Sequence, residues 1–287
     1  MKTTALYQTL MATLRPVYDE TEARSIALLV LEKCFGIRQT DVYMDKDTAF
    51  PTNKVTDFQN ICSRLSHGEP VQHIIGTADF GGISFMVNAD VLIPRPETLT
   101  VIEQAMPLIE KVEHPRILDV GTGSGCLAVT IQHRLRNKAD VTAWDISAGA
   151  LQVAQKNAEN SGVTVRFLQV DVLEACKNSH SERYHVILSN PPYIRQSEKT
   201  AMHRNVLDFE PHLALFVSDE QPLVFYRALA MLGKNSLVRG GSIVCEINEF
   251  LHDETADLFR NYGYHCRKIL DEMGKNRVIV ATLPDEG

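Results

Sequence analysis

From Arg116 to Leu283 the chain alternates short β-type runs with amphipathic stretches, and that rhythm limits the fold more than any other feature. Strands are expected at Arg116–Val120, Val141–Asp145, Thr164–Gln169, Val186–Ser189 and Ser242–Ile247, with two more near His265–Leu270 and Arg277–Leu283. Helices are expected between them, around Leu127–Arg136, Ala148–Asn160, Leu223–Gly233 and Asp253–Arg260. A strand that leads through a helix to the next strand builds a mostly parallel, doubly wound sheet with helices on both faces. Only Asp271 to Asn276 separate the last two strands. No crossover helix fits there, so that pair is expected to run antiparallel in a sheet of seven strands.

The region ahead of this block reads differently. Ile26, Ala27, Val30, Leu31 and Cys34 recur at helical spacing before Gly36, and Phe58, Ile61, Cys62 and Leu65 do the same before Gly68. Such spacing puts the apolar side chains on one face, so residues 1–70 are expected to form a small helical domain. Val71–Ile75, Ala78–Phe80 and Ile83–Val87 then read as β-type runs broken by Gly76 and Gly81-Gly82, a connecting hairpin over 71–95. Val91-Leu92-Ile93 reads as a further strand, stopped by Pro94 and Pro96. A helix follows with Leu99, Ile102, Met106 and Ile109 on one face, and 96–287 is expected to be the catalytic domain.

Bulk properties narrow the function classes. The formal net charge is -7 and no lysine- or arginine-rich run occurs, which counts against a protein whose affinity rests on neutralising many phosphates. Cys34, Cys62, Cys126, Cys176, Cys245 and Cys266 lack the paired spacing of a zinc ribbon or a redox motif. His67, His73, His203 and His212 are scattered, so no metal site is expected. The amino terminus has no apolar leader and no run is long enough to span a bilayer, so a cytoplasmic location without membrane attachment is expected.

Two strand ends carry chemistry. The first ends in Asp119-Val120-Gly121-Thr122-Gly123-Ser124-Gly125-Cys126, where glycines allow a sharp turn and close approach of a ligand. Twenty residues past Gly125, Asp145-Ile146 ends the second strand; an acid there can accept hydrogen bonds from both hydroxyls of a ribose, or cap the next helix. Asp171 and Val172 follow the third strand, placed to meet an adenine amine and pack on its ring, with a plain turn aspartate as the other reading. The fourth strand runs into Asn190-Pro191-Pro192-Tyr193. Two prolines fix an extended backbone and remove two N–H groups, leaving the Asn190 side-chain oxygen and the Pro191 carbonyl as rigid acceptors. An NH2 on a planar conjugated group suits that pair, with its nitrogen turned toward an electrophilic methyl and the Tyr193 ring stacked on it.

These motifs together resemble the class I methyltransferases, and more specifically the PrmC/HemK family. The resemblance rests on Glu69-Pro70-Val71-Gln72-His73-Ile74-Ile75-Gly76, Val91 through Thr98, Ile117 through Cys126, Asp145-Ile146-Ser147, Ser189 through Ile194 and Phe209-Glu210-Pro211. It implies S-adenosylmethionine as cofactor, at Gly121, Thr122, Gly123, Ser124, Gly125, Asp145, Ile146, Asp171, Val172 and Asn190. It implies that Asn190, Pro191 and Tyr193 carry the transfer to the side-chain amide of the GGQ glutamine of peptide chain release factors. Asn190, Pro191, Pro192, Tyr193, Arg95 and Glu97 form the substrate side, the last two as contacts or as support for the wall. The N-terminal helices are expected to dock the release factor, and Phe80 and Phe85 either shape the peptide entrance or pack in the core.

Three positions depart from the family pattern. Leu99 stands where an acid is usual, Val172 where an aromatic is common, and Cys245-Glu246-Ile247-Asn248 in place of a Glu-Ile-Gly ending, to which no functional meaning attaches. The alternative reading is an exocyclic-amine methyltransferase acting on adenine in nucleic acid, which shares the Asn-Pro-Pro-Tyr loop but calls for a basic groove and a target-reading domain. A dinucleotide-dependent oxidoreductase would want a small third residue at Cys126 and has no use for Asn-Pro-Pro-Tyr. The expected partner is therefore a release factor, with no stable nucleic acid and a monomeric enzyme.

Overall fold

The structure is a computed structural model that describes residues 2–179 and 181–285, and no side chain at 201. Its contacts divide the chain into two units: one runs to Thr77 and takes in His203–Phe209, the other comprises Ala78–Met202 and the chain from Glu210 onward.

The first unit is helical. Its elements are α1 (Thr3–Leu14), α2 (Glu20–Phe35), α3 (Gln39–Tyr43), α4 (Thr52–Ser66) and α5 (Val71–Ile75), joined by the later helix Arg204–Phe209. Helix α2 shows why these segments begin and end where they do. Asp19 accepts from the N–H groups of Thr21 and Glu22, and Gly36 closes the helix in the left-handed conformation. The apolar faces meet in one cluster containing Leu10, Leu14, Ala27, Val30, Leu31, Phe58 and Leu65. Val71–Ile75 is helical rather than extended. Its isoleucines favour a strand locally, but burial of Val71 and packing of Ile74 and Ile75 on the helical core reward a helix, and Gly76 (φ 82°) ends it.

The second unit opens with a two-stranded sheet, β1 (Thr77–Phe80) and β2 (Ile83–Met86), followed by α6 (Leu99–Ile109). Phe80 and Phe85 stack edge to face, 6.0 Å between ring centres, inside the core beneath the main sheet, so neither forms an entrance. Val91–Ile93 is not a strand. Val91 and Ile93 are buried beside Ala150 and Val153, and the Ile93 N–H that would feed a ladder donates instead to the Glu210 carboxylate at 3.0 Å.

The main sheet is built from β3 (Arg116–Val120), β4 (Asp140–Asp145), β5 (Arg166–Gln169), β6 (Tyr184–Ser189), then, after the short parallel pair β7 (Ile194–Arg195) and β8 (Phe216–Val217), β9 (Leu237–Glu246), β10 (His265–Leu270) and β11 (Asn276–Thr282). The order is β10-β11-β9-β6-β3-β4-β5, seven strands among the described residues. β3, β4, β5, β6 and β9 run parallel, whereas β11 pairs antiparallel with both β9 and β10. This is the doubly wound sheet with an antiparallel closing pair that the alternation of elements predicts. Helices α7 (Cys126–Arg134), α8 (Ala148–Asn160), α9 (Val172–Ala175), α10 (Arg204–Phe209), α11 (Val224–Ser236) and α12 (His252–Asn261) complete the elements. Two apolar layers, one per face, hold the sheet, with Leu118 and Ile187 in one and Ile117 and Val186 in the other. No helix among the described residues is long and apolar enough to cross a membrane.

Candidate active site

The chain winds from β3 outward to β5, then returns to lay β6 on the other side of β3. At such a switch point the loops after neighbouring strands diverge and leave a crevice at the carboxyl ends. A cavity of about 230 Å³ occupies it, lined by residues of the loops after β3, β4, β5 and β6 and by Pro211, Leu213 and Ala214.

The glycine loop forms one wall. Gly121 and Gly123 hold φ of 72° and 54°, and a Cβ on either would project into open space. Gly125 serves packing instead. A Cβ there would stand 3.1 Å from the Ala154 Cβ and 3.3 Å from Val129, so its bareness lets α7 sit close to α8. Asp145 ties the loop to β4. One carboxylate oxygen accepts from the Gly123 N–H at 2.8 Å and the other from the Ser147 N–H at 2.9 Å. Each oxygen retains lone-pair capacity for a ligand hydroxyl. Ser147, not Asp145, caps α8 by accepting from Ala150. Asp171 caps α9 through the Leu173 N–H at 2.8 Å, the turn-type role that is its alternative reading, while still lining the cavity beside Val172.

Two buried acids flank the crevice. Asp119 is fully buried; one oxygen accepts from Thr122 at 2.6 Å and from the Ala128 N–H at 3.3 Å, while the other has no partner. Burial, with the Asp145 charge adding to it, pushes its pKa up to about 7 against those hydrogen bonds. Asp119 is absent from the cavity lining, so its charge reaches the crevice only from beneath the glycine loop. Cys126 also lines the cavity, but burial pushes its thiol up to about 12, so it contributes a small apolar surface and no nucleophile.

Glu246, at the end of β9, is the second acid, and reading by motif attaches no function to it. It is 1% exposed and accepts from Thr98 Oγ1 at 2.7 Å and from the Tyr193 hydroxyl at 2.8 Å. Burial drives its carboxyl up, and those two hydrogen bonds oppose that. Tyr193 is held a second way, its carbonyl accepting from Asn248 Nδ2 at 3.2 Å. The Tyr193 ring packs against the apolar core and stands outside the cavity lining, in place of the stacking position expected for it. Asn190, Pro191 and Pro192 do line the cavity. Asn190 Nδ2 donates to Thr98 Oγ1 at 3.2 Å, and its Oδ1 accepts from no described residue.

Arg95 lines the cavity and pairs with Glu210, whose side chain is 1% exposed. Because Glu210 also takes the Ile93 N–H, it latches the segment ahead of α6 to the loop that carries Pro211 and Leu213. Glu97 stands outside the lining and acts on Glu246 and Tyr193 only through its charge.

Comparison with known proteins decides between families that share this crevice. Residues 5–76 match the PrmC N-terminal domain, and residues 103–214 match the methyltransferase small domain. The release factor glutamine methyltransferase of Bacteroides thetaiotaomicron is 40% identical across 93% of this chain and 95% of its own length. This chain belongs to the release factor glutamine methyltransferase family. A second member of that family, from Flavobacterium psychrophilum, is 35% identical across 93% of this chain and 94% of its own. Among solved structures, the Thermus thermophilus 16S rRNA N2 G1207 methyltransferase, in complex with AdoMet and guanosine, superimposes with a TM-score of 0.50. It covers 72% of this chain and 49% of its own at 20% identity, which places the family's catalytic unit in the class I methyltransferase fold and says no more.

Proposed function

We propose that this chain methylates the side-chain amide nitrogen of the GGQ glutamine of peptide chain release factors, with S-adenosylmethionine as donor. Family membership at 40% identity across nearly the whole chain is the observation that carries the reading. Bound S-adenosylmethionine supplies a methyl group on a cationic sulfur, ready for in-line displacement. Gly121, Thr122, Gly123 and Ser124 receive the donor along the cavity wall, with open space over Gly121 and Gly123, and Asp145 and Asp171 meet its nucleoside end beside Ile146 and Val172. Asp119 stands outside the cavity lining and acts on such a donor only through its charge, from beneath the glycine loop.

Asn190 Oδ1 and the Pro191 carbonyl accept the two hydrogens of the glutamine NH2. An amide nitrogen is a weak nucleophile because its lone pair is delocalised. Fixing both hydrogens turns the nitrogen toward the methyl, and orientation of this kind contributes roughly 7–11 kcal/mol over a bimolecular encounter. Arg95 and Glu210 hold the wall of the crevice, and the N-terminal helices dock the release factor. The enzyme acts in the cytoplasm as a monomer, without a stable nucleic-acid partner.

The test is to incubate the protein with methyl-labelled S-adenosylmethionine and, in separate reactions, an intact release factor, DNA and ribosomal RNA. Label on the release factor alone supports the reading. Label on nucleic acid and none on the release factor overturns it in favour of a nucleobase amine.

A further inference from the structure

The acceptor amide must meet the oxygen of Asn190 and not its NH2, because an NH2 facing another NH2 offers donor to donor. A primary amide can turn either end outward, so something has to choose. Asn190 points Nδ2 at Thr98 Oγ1 (3.2 Å), which leaves Oδ1 without a protein partner on a residue that lines the cavity. Thr98 is 2% exposed and has a single hydroxyl proton, which goes to Glu246 at 2.7 Å. With its proton committed, Thr98 meets Asn190 only through lone pairs and can only accept from it. The other Glu246 oxygen takes the Tyr193 hydroxyl at 2.8 Å; these two donors favour the ionised carboxylate against its burial, and in that form it accepts on both sides and donates to neither.

Resting on the release-factor reading above, we propose that Glu246 is a positioning residue. By accepting on both oxygens it makes Thr98 an acceptor, and Thr98 then keeps the Asn190 oxygen facing the glutamine NH2. The direction of three hydrogen bonds, set by one buried acid, thereby fixes which end of a distant amide meets substrate. Two further contacts stiffen the arrangement. The Tyr226 hydroxyl donates to the Glu246 carbonyl at 3.2 Å, and Asn248 holds the Tyr193 carbonyl. Thr98 lies 148 residues from Glu246 and 92 from Asn190, so only the folded sheet brings the three together.

E246Q is the informative variant. It keeps the shape of the side chain but cannot accept on both sides, because one end becomes an NH2. That NH2 frees the Thr98 proton to turn toward Asn190 Oδ1 and invert the amide. The experiment compares wild type, E246Q, T98V, T98S and the double variant E246Q/T98V, with intact release factor and labelled S-adenosylmethionine both saturating. Single-turnover transfer, the release-factor KM, donor affinity by calorimetry and Tm are measured for each.

E246Q and T98V are expected to slow transfer about 100-fold, the order seen when one oriented contact to the reacting group is lost. Donor affinity should stay within about threefold, and T98S should recover most of the rate. The double variant should be no slower than the slower single one, because residues acting in one chain are not additive. E246Q at the wild-type rate, or T98S as slow as T98V with an unchanged Tm, overturns the proposal. If E246Q does not fold, the T98V and T98S pair decides. A wild-type enzyme that leaves the release factor unmethylated overturns the functional reading and the relay with it. Wild-type activity beside an unimpaired E246Q or T98V overturns the relay alone.

Discussion

The two loops that face each other across the crevice follow adjacent strands but are built on opposite principles. After β3 the chain is rich in glycine, with left-handed backbone at Gly121, Gly123 and Gly125; it ties the N–H groups of those glycines into the protein and leaves empty volume over Gly121 and Gly123. After β6 it carries two consecutive prolines, which remove N–H groups and leave acceptors. The first loop is held by carboxylates that accept from it: Asp145 from Gly123, and Asp119 from Thr122. The second is held from behind by side chains, through Thr98, Glu246 and Asn248. A donor that is large and cationic needs room and negative charge; an acceptor amide needs two fixed oxygens and no competing N–H. The contrast is the chemistry of the reaction written into two turns.

The sharpest way to break this division is Asn190→Ala. It should lower methyl transfer by about 10² to 10³ at saturating donor while donor affinity, by calorimetry, changes little. Loss of donor binding instead would show that the two loops do not divide the work. The next effect is on stability. Asp119 has a folded pKa of about 7, above the ordinary carboxylate range. The folded state therefore holds a proton that the unfolded chain has released, and stability falls as pH rises from about 4 to about 7, by up to about 1.4 kcal/mol per unit. Above that window this contribution is flat. Asp119→Asn should remove the slope, seen as the difference between the two proteins in urea midpoints at pH 5 and pH 7; parallel curves would contradict the burial argument.

Arg95→Ala leaves Glu210 buried with the Ile93 N–H as its remaining partner. Arg95 is a third exposed, so the loss is discounted to about 2 kcal/mol, a Tm fall of about 4–8 °C. A variant as stable as wild type would show that the latch holds nothing. Smallest is Gly121→Ala. Its Cβ meets no protein atom, so the cost is the left-handed backbone alone, about 1–2 kcal/mol. Donor affinity should drop by more than that strain explains, with the release-factor KM unchanged; the reverse pattern would merge the two loops into one site.

Much of this architecture is legible in the sequence. Helix Ala148–Asn160 and strand His265–Leu270 fall where spacing puts them, and the antiparallel closing pair follows from a six-residue connection. Local patterns fail where distant groups decide. Val91–Ile93 has strand residues, but its N–H goes to Glu210, 117 positions away in the chain for Ile93. Val71–Ile75 has β-branched residues, but the helical core claims them. Tyr193 is visible as a motif residue, yet its direction is set by Glu246, and nothing in a string of letters shows a carboxylate 53 positions on. The one available signal for Glu246 is an acid among apolar neighbours at a strand end, where a charge is costly unless it has partners.

The central claim is that the acceptor is one particular amide nitrogen. The most direct measurement is tandem mass spectrometry of the GGQ peptide from a release factor treated with the enzyme and S-adenosylmethionine. A single added methyl on the glutamine side chain is expected, absent when that glutamine is replaced by glutamate. A methyl found on any other residue, or persisting on the glutamate variant, would contradict the claim.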